Sequence, residues 1–565
     1  MEEAWLGGDP DLAAGKTFVQ SQTQQTSMMT TSLYADYEYS WNKHNFKVTA
    51  GMNTEYYYIN ELIGKRYDVI NENVPSINTA TGTSDLKGSS KEWATMGYFA
   101  RLNYDYEGRY LLEGNIRRDG TSRFRGNQRW AHSLCSIGWN IAREAFWSPA
   151  EAYVNLLKLR FSYGSLGNQN TDNYYPTYSI QNITVGSVDA GGRWLLDLAN
   201  KSNIASSPGL VSSLLTWERV TSYNAGLDFG AFNNRLNGYV EYYIRDTKDM
   251  VGPAEEITPL VGASAPKMNN TSLRTKGWEL QLTWQDRIGK VGYHASFNLS
   301  DAQTEVTEYP NPDKTFYTKD EDGNTIENYW KGKKLGEIWG FKTVGIAKTD
   351  EEMQSWIAQH DQSKLPNVGN NIWKAGDIMY ANLDDNPAIE KGTSATDPKD
   401  LTIIGNYTPR FRFGFSLGAD YKGFDINLMF QGVAKRDVWV GGDDRTAYSK
   451  GMIFWGINGG QWDSTGYEEH MDYFRPERDE MGANLNAYYP RPIIGSKQNQ
   501  QVQSRYLQNA AYIRLKNIQI GYTLPKAWIQ KANLEKVRLF FSGDNLWTGT
   551  KMSKNFDPEL IYQTV

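Results

Sequence analysis

Cysteine is almost missing from this chain: Cys135 stands alone among 565 residues. A lone thiol excludes an internal disulfide framework and any cysteine-based zinc site. The expectation for it is a small side chain buried in a strand. Histidine is scarce too, five in all, and none lies in a metal-ligand or triad spacing with a partner. Gly-rich Phe454–Gly460 lacks the strand-to-helix setting of a phosphate loop. No enzyme activity, catalytic group or cofactor is therefore expected. No apolar run reaches eighteen residues, so the sequence offers no transmembrane helix. There is no basic run and the net charge is −6, which argues against nucleic acid as the partner. The start, MEEAWLGGDPDLAAGK, shows no basic n-region leading into an apolar stretch, and so no signal peptide.

Aromatic residues are plentiful instead: 13% of the chain, with 36 Tyr and 19 Trp. Rings with a polar tip suit a membrane–water boundary, and they also stack on sugars. Alternation of residue type separates these uses. In YFARLNYDYEGRYLLEGNIRRDG, Tyr98, Ala100, Leu102, Tyr104 and Tyr106 form an apolar and aromatic row. Phe99, Arg101, Asn103 and Asp105 form a mostly polar one. After Glu107-Gly108-Arg109 the apolar row resumes with Tyr110, Leu112, Gly114 and Ile116. The cleanest pair is Phe411–Tyr421 with Phe424–Gly432. There Phe411, Phe413, Phe415, Leu417 and Ala419 oppose Arg412, Gly414, Ser416, Gly418 and Asp420. About fourteen such strands are predicted, beginning with Leu33–Trp41 and Phe46–Tyr56 and ending with Tyr512–Leu524 and Val537–Asn545. Several run to about ten residues, the length that crosses a bilayer when tilted, whereas strands of soluble sandwiches average about five or six.

The connections point the same way. Tight joins (NKHN, EGR, 230–235, 285–290, Lys422-Gly423) alternate with long ones near 57–92, 165–217, 246–276, 301–410 and 433–505. An outer-membrane barrel has this asymmetry, with short periplasmic turns at one end and long external loops at the other. The predicted fold class is all-β: a transmembrane antiparallel β-barrel with an apolar face toward lipid and a polar face toward the lumen. Its backbone groups would be satisfied by closure.

At this level the residues resemble a known family. YFARLNYDYEGRYLLEGNIRRDGTSRF, LKLRFSYGSLGNQN, WERVTSYNAGLDFGAFNNRLNGYVEYYIRDTKDM, TKGWELQLTW, TIIGNYTPRFRFGFSLGADYKGFDINLMFQG, YLQNAAYIRLKNIQIGYTLP and VRLFFSGDNLW occur in order. Together they resemble the SusC/RagA-type TonB-dependent outer-membrane transporters of Bacteroidetes, from about Thr17 to the end. The resemblance implies a barrel of about twenty-two strands around an N-terminal plug. It implies import of oligosaccharides or peptides, driven by TonB, with a SusD-like surface lipoprotein as partner. No plug, TonB box or signal peptide is recognised, so residues 1–565 are expected to be one partial barrel domain. A passive porin, or a secreted or surface β-rich carbohydrate-binding protein, is the rival reading.

Candidate site residues fall into three groups. Trp330, Trp339, Trp356 and Trp373 lie in the longest connection, and Trp439, Trp455 and Trp462 in the next. An exposed indole can stack on a sugar ring, but long ordered loops also need small cores of their own, and that packing is the favoured reading. The polar rows contribute lumen-facing candidates: Arg101, Asp105, Glu113, Arg117, Arg412 and Asp425, with Arg160, Glu241, Arg245 and Glu279 beside them. For metal, KDEDGNTIEN (Lys319–Asn328) crowds acidic residues around Gly323 but lacks the distal Glu of a calcium loop; a hairpin turn explains it better. Asp384 and Asp385 stand where the family often has an Asp-Gly-rich run. They lack its glycines, so a solvated turn is favoured over a metal site.

Overall fold

The structure is a computed structural model. It describes residues 17–561 except 72, 125–128, 170, 172, 182, 185–203, 206–207, 254–257, 259, 261–264, 320–324, 364, 366–371, 441–467 and 494–497. One 14-stranded sheet dominates. Its strands are β1 (Phe18–Trp41), β2 (His44–Tyr67), β3 (Ser84–Tyr106), β4 (Tyr110–Thr121), β5 (Arg129–Asn140), β6 (Val154–Asn168) and β7 (Glu218–Ala231). They continue as β8 (Leu236–Gly252), β9 (Met268–Ile288), β10 (Val291–Glu308), β11 (Arg410–Tyr421), β12 (Phe424–Lys435), β13 (Tyr512–Thr523) and β14 (Arg538–Thr550). Sequence order is sheet order throughout. The chain divides into two compact units. One is Met1–Ile137, Tyr163–Thr221 and Lys248–Asn269; the other is Gly138–Ser162, Ser222–Thr247 and Asn270–Val565.

Turn chemistry explains the tight joins. Lys422 and Gly423 both adopt left-handed φ, +48° and +90°, as a two-residue hairpin matched to right-twisted strands requires. Glu107 and Gly108 do the same at +51° and +66°, and the Asp105 carboxylate accepts the Gly108 N–H at 2.7 Å. The joins after β5 and β13 are closed by short helical turns at Ala145–Ala150 and Lys526–Ile529.

In the first unit the register confirms two faces. Tyr98, Ala100, Leu102, Tyr104 and Tyr106 pair with Arg118, Ile116, Gly114, Leu112 and Tyr110, and across β2 with Met52, Ala50, Val48, Phe46 and His44. This apolar face is open: Leu33 is 66% and Ile116 64% exposed. A water-soluble protein would bury such a row, so its natural solvent is hydrocarbon. Tyr39, Trp41, Tyr104, Tyr106 and Tyr110 gather at the tight-turn end, where an aromatic girdle belongs. In the second unit Ala419, Ile426, Ile520 and Phe541 form one cross-strand row. Phe415 stacks on its partner Phe430 at 4.5 Å between centroids, and Phe424 lies 4.3 Å from Tyr522 at the turn end.

Three sequence expectations need correction. Cys135 is exposed, not buried, because it shares the open face of β5 with Ala131, Ser133, Ile137 and Trp139. Phe411 leaves the regular ladder of β11. Its φ is +51°, and it stays unpaired between Arg410↔Lys435 and Arg412↔Val433, with no change of register. Asp301 holds it, accepting the Arg410 fork (2.5 and 2.6 Å) and the Phe411 N–H (3.2 Å). Strands also overrun their predicted limits away from the tight turns. β1 starts at Phe18, and it pairs with β2 from Phe18↔Tyr67 to Trp41↔His44 without a slip. Stretches such as Gln20–Gln25 are polar on both faces, so they carry no period-2 signal. The connections at 57–92 and 246–276 thus shrink to 68–83 and 253–267. That between β4 and β5 spans only 122–128, one break in the long–short alternation.

Leu417 on the open face and Ser416 on the opposite face provide a test. Leu417→Arg should cost about 2–4 kcal/mol of folding free energy in a bilayer, and Ser416→Arg much less. Reversible unfolding of the full-length protein in lipid vesicles measures both.

Candidate functional site

The polar strand face is knit by side-chain pairs. In the first unit Lys47 meets Glu38 at 2.7 Å, Arg101 meets Glu113 at 3.8 Å, and Asn103 donates to Glu113 at 2.9 Å. Arg117 donates to Asp119 at 2.8 Å and also to Asn53. In the second unit Arg160 bridges Asp228 and Glu241 (3.0 and 2.6 Å), and Arg287 meets Asp420 at 3.0 Å. Asp425 takes the Arg538 fork, 3.0 Å from Nε. Cross-strand opposite charges stabilise a sheet face modestly. Here they also leave the face without a dominant sign. Each sequence-chosen cation or acid thus lies on the polar side of its strand, and Asp105 serves the turn. Arg412 is exposed, with no ion-pair partner among the described residues.

A second construction belongs to the connections between β10 and β13, in the second unit. Residues from 309–409 and 468–511, with Trp439, build a core of their own around Phe341, Tyr380, Ile389 and Tyr506. Trp330 is only 4% exposed; it lies 5.7 Å from Phe316 and 6.2 Å from Trp339. Trp373 and Trp439 are likewise buried in this core, and Trp339 and Trp356 pack against it half-buried. These indoles hold the loops together, and the three buried ones offer no open face to a sugar. Trp356 lies on α1 (Asp350–Gln359), capped by Thr349, whose hydroxyl accepts the Glu352 N–H at 3.2 Å. Its own N–H reaches Gln362 at 3.1 Å. Trp455 and Trp462 lie outside the described residues.

The lobe's centre is polar, and the sequence reading missed it. Asp377 is fully buried. It accepts the Arg491 fork (2.7 and 2.8 Å), the Gln498 and Asn499 amides (both 2.9 Å) and the Lys374 N–H (3.0 Å). The buried Tyr380 hydroxyl donates to the Gln498 carbonyl at 2.8 Å; burial pushes its pKa well up, with Tyr506 and Asp377 adding to the effect. Only the density of amides in SKQNQQVQ (496–503) hinted at this network, because its partners are more than a hundred residues apart.

Of the metal candidates, Asp384 takes part in a turn. Asp384 accepts the Asn386 N–H at 2.8 Å, and its own N–H donates to Asn382 at 3.2 Å. No set of three His, Cys, Asp or Glu among the described residues could hold a metal ion. Residues 320–324 lie outside the described residues, but their flanks, Tyr317–Lys319 and Thr325–Glu327, pair as a hairpin.

The model of the family described as "TonB dependent receptor-like, beta-barrel" matches residues 4–546. The chain belongs to this family. TonB-dependent receptor P3 of Formosa agariphila is 28% identical over 542 residues, covering 94% of this chain and 48% of the relative. TonB-dependent receptor SusC of Bacteroides thetaiotaomicron is 22% identical, covering 90% and 45%. The chain thus spans about half the length of the curated relatives it matches. Among solved structures, the RagAB peptide transporter superposes with a TM-score of 0.74 at 20% identity, over 96% of this chain and 54% of that one. At that identity the likeness speaks for the receptor fold alone. The TonB-dependent receptor fold accounts for the open apolar face, which a sandwich would close.

The Asp377 network yields a test. Asp377→Ala strands the Arg491 cation and two amides, and should cost the lobe about 3–5 kcal/mol. Protease digestion of the intact, membrane-inserted protein should cut within 309–409 faster while the β1–β4 region stays resistant.

Proposed function

We propose that the chain forms wall and outer loops of a TonB-dependent importer in the outer membrane of a Gram-negative, Bacteroidetes-like cell. Its cargo is an oligosaccharide or a peptide, and its partners are a SusD-like surface lipoprotein, TonB and the surrounding lipid. The observation that carries this reading is the pairing of an open apolar face with a charge-paired polar face on the same long strands, in a chain that belongs to a TonB-dependent receptor family. The polar face would line the path, and its balanced charges suit cargo of little net charge. The similar RagAB structure is that of a peptide transporter, which supports a peptide as one member of the cargo class. A soluble carbohydrate-binding protein would have to leave rows such as Tyr98–Tyr106 in water.

Uptake by cells carrying the full-length protein tests the reading. Labelled oligosaccharides and peptides should accumulate only when TonB and the proton-motive force are intact, and a deletion of the gene should abolish uptake of one class. Equal uptake of every small solute without TonB would instead identify a passive pore.

A further inference from the structure

The segment after β14 is bound more firmly than a surface loop needs to be. Asp557 meets Arg514 at 2.6 Å, and Glu559 meets Arg514 at 2.5 Å and Lys516 at 3.0 Å. Both cations lie on β13, and Arg514 is buried. Arg436, just past β12, donates to the carbonyls of Pro558 (3.3 Å) and Ile561 (2.7 Å), and its Nε donates to the Tyr407 carbonyl at 3.1 Å. Phe556 and Ile561 pack against a small core of Val438, Val440, Ala510 and Met552. At its other end the segment is tied to the 436–511 connection. Ser553 donates to Glu469 at 2.6 Å, and the Lys554 N–H reaches the same carboxylate at 3.3 Å. The Ser553 N–H reaches Gln508 at 3.2 Å.

We propose that residues 552–561 are an ionic strap coupling the 468–471 turn to the β12–β13 wall, so that the loop and the wall move as one while Asp557 and Glu559 are held. Three features support this. The carboxylates converge on cations of the wall and not of a loop. Arg436 joins the strap to the last residues of the 309–409 connection through Tyr407. Glu469 alone carries both hydrogen bonds from Ser553 and Lys554 to the turn. Charge-assisted bonds of this kind are about twice as strong as neutral ones, and freeing the carboxylates leaves Arg514 buried without a counter-ion. The apolar patch alone would hold the strap but would not tie its position to the Glu469 turn.

Spin labels test the coupling in the full-length protein in native membranes. In a Cys135→Ser background, one label replaces Lys554 on the strap and another replaces the exposed Met471 at the turn. Both labels should be restrained in the parent. The shape-preserving double change Asp557→Asn, Glu559→Gln should shorten the rotational correlation time at both positions. Glu469→Ala removes both acceptors and leaves the Arg514 cradle whole, so it should free Met471 while position 554 stays restrained. Loosening at 554 with no change at Met471 in the double variant would overturn the coupling. So would an unchanged Met471 in Glu469→Ala, the result that decides the matter should the double variant fail to fold.

Discussion

Everything in the sheet depends on one constraint: the medium touching one face cannot form hydrogen bonds. Hydrocarbon accepts no N–H and donates to no carbonyl, so every backbone group must find a partner within the sheet. Hydrocarbon also rejects charge on the side it wets. The first demand explains uninterrupted ladders such as the one from Phe18↔Tyr67 to Trp41↔His44. The second explains why Leu33, Tyr98 and Ile116 stand open while Lys47, Arg101 and Glu113 turn to the other face and pair. Tyrosines and tryptophans mark the boundary because a ring with a polar tip is at home in neither solvent alone.

Beyond the bilayer the constraint lifts and the architecture changes with it. Strand extensions such as Gln20–Gln25 are polar on both faces and persist through backbone pairing. The long connections have no membrane to hold them. They fold by the rules of soluble proteins, with buried indoles, a capped helix and a polar centre at Asp377 in which all partners are supplied. The Arg514 cradle and the Asp301–Arg410 ion pair sit at the end of the wall away from the tight turns. There a charged group can be buried only with a fixed counter-ion.

This division also sets what could be read from the sequence. Wherever one face meets lipid, period-2 alternation is obligatory, so the fourteen strands and the tight turns between them were readable from residue type. Cys135 was misjudged because burial habits learned from water-solvated cores invert on an outward strand. Phe411 was misjudged because a left-handed, unpaired backbone changes neither composition nor register, and Asp301, which accepts its N–H, lies more than a hundred residues away. The lobe was opaque for a related reason. Trp330 reads the same as a sugar platform or as a core residue, and only the three-dimensional packing of Phe316 and Trp339 around it decides. The Asp377 and Asp557–Arg514 assemblies have no local pattern, since their partners meet only through long-range folding.

The central claim is that the open face of these strands touches lipid, and Cys135 reports on it directly. It lies on the open face of β5, four residues before Trp139, which stands at the tight-turn end of the strand. A spin label on Cys135 of the full-length protein in phospholipid bilayers, with any other thiol removed, can be relaxed by lipid-soluble oxygen or by a water-soluble nickel chelate. The account predicts strong relaxation by oxygen and little by the chelate. Strong relaxation by the chelate with weak relaxation by oxygen would contradict it.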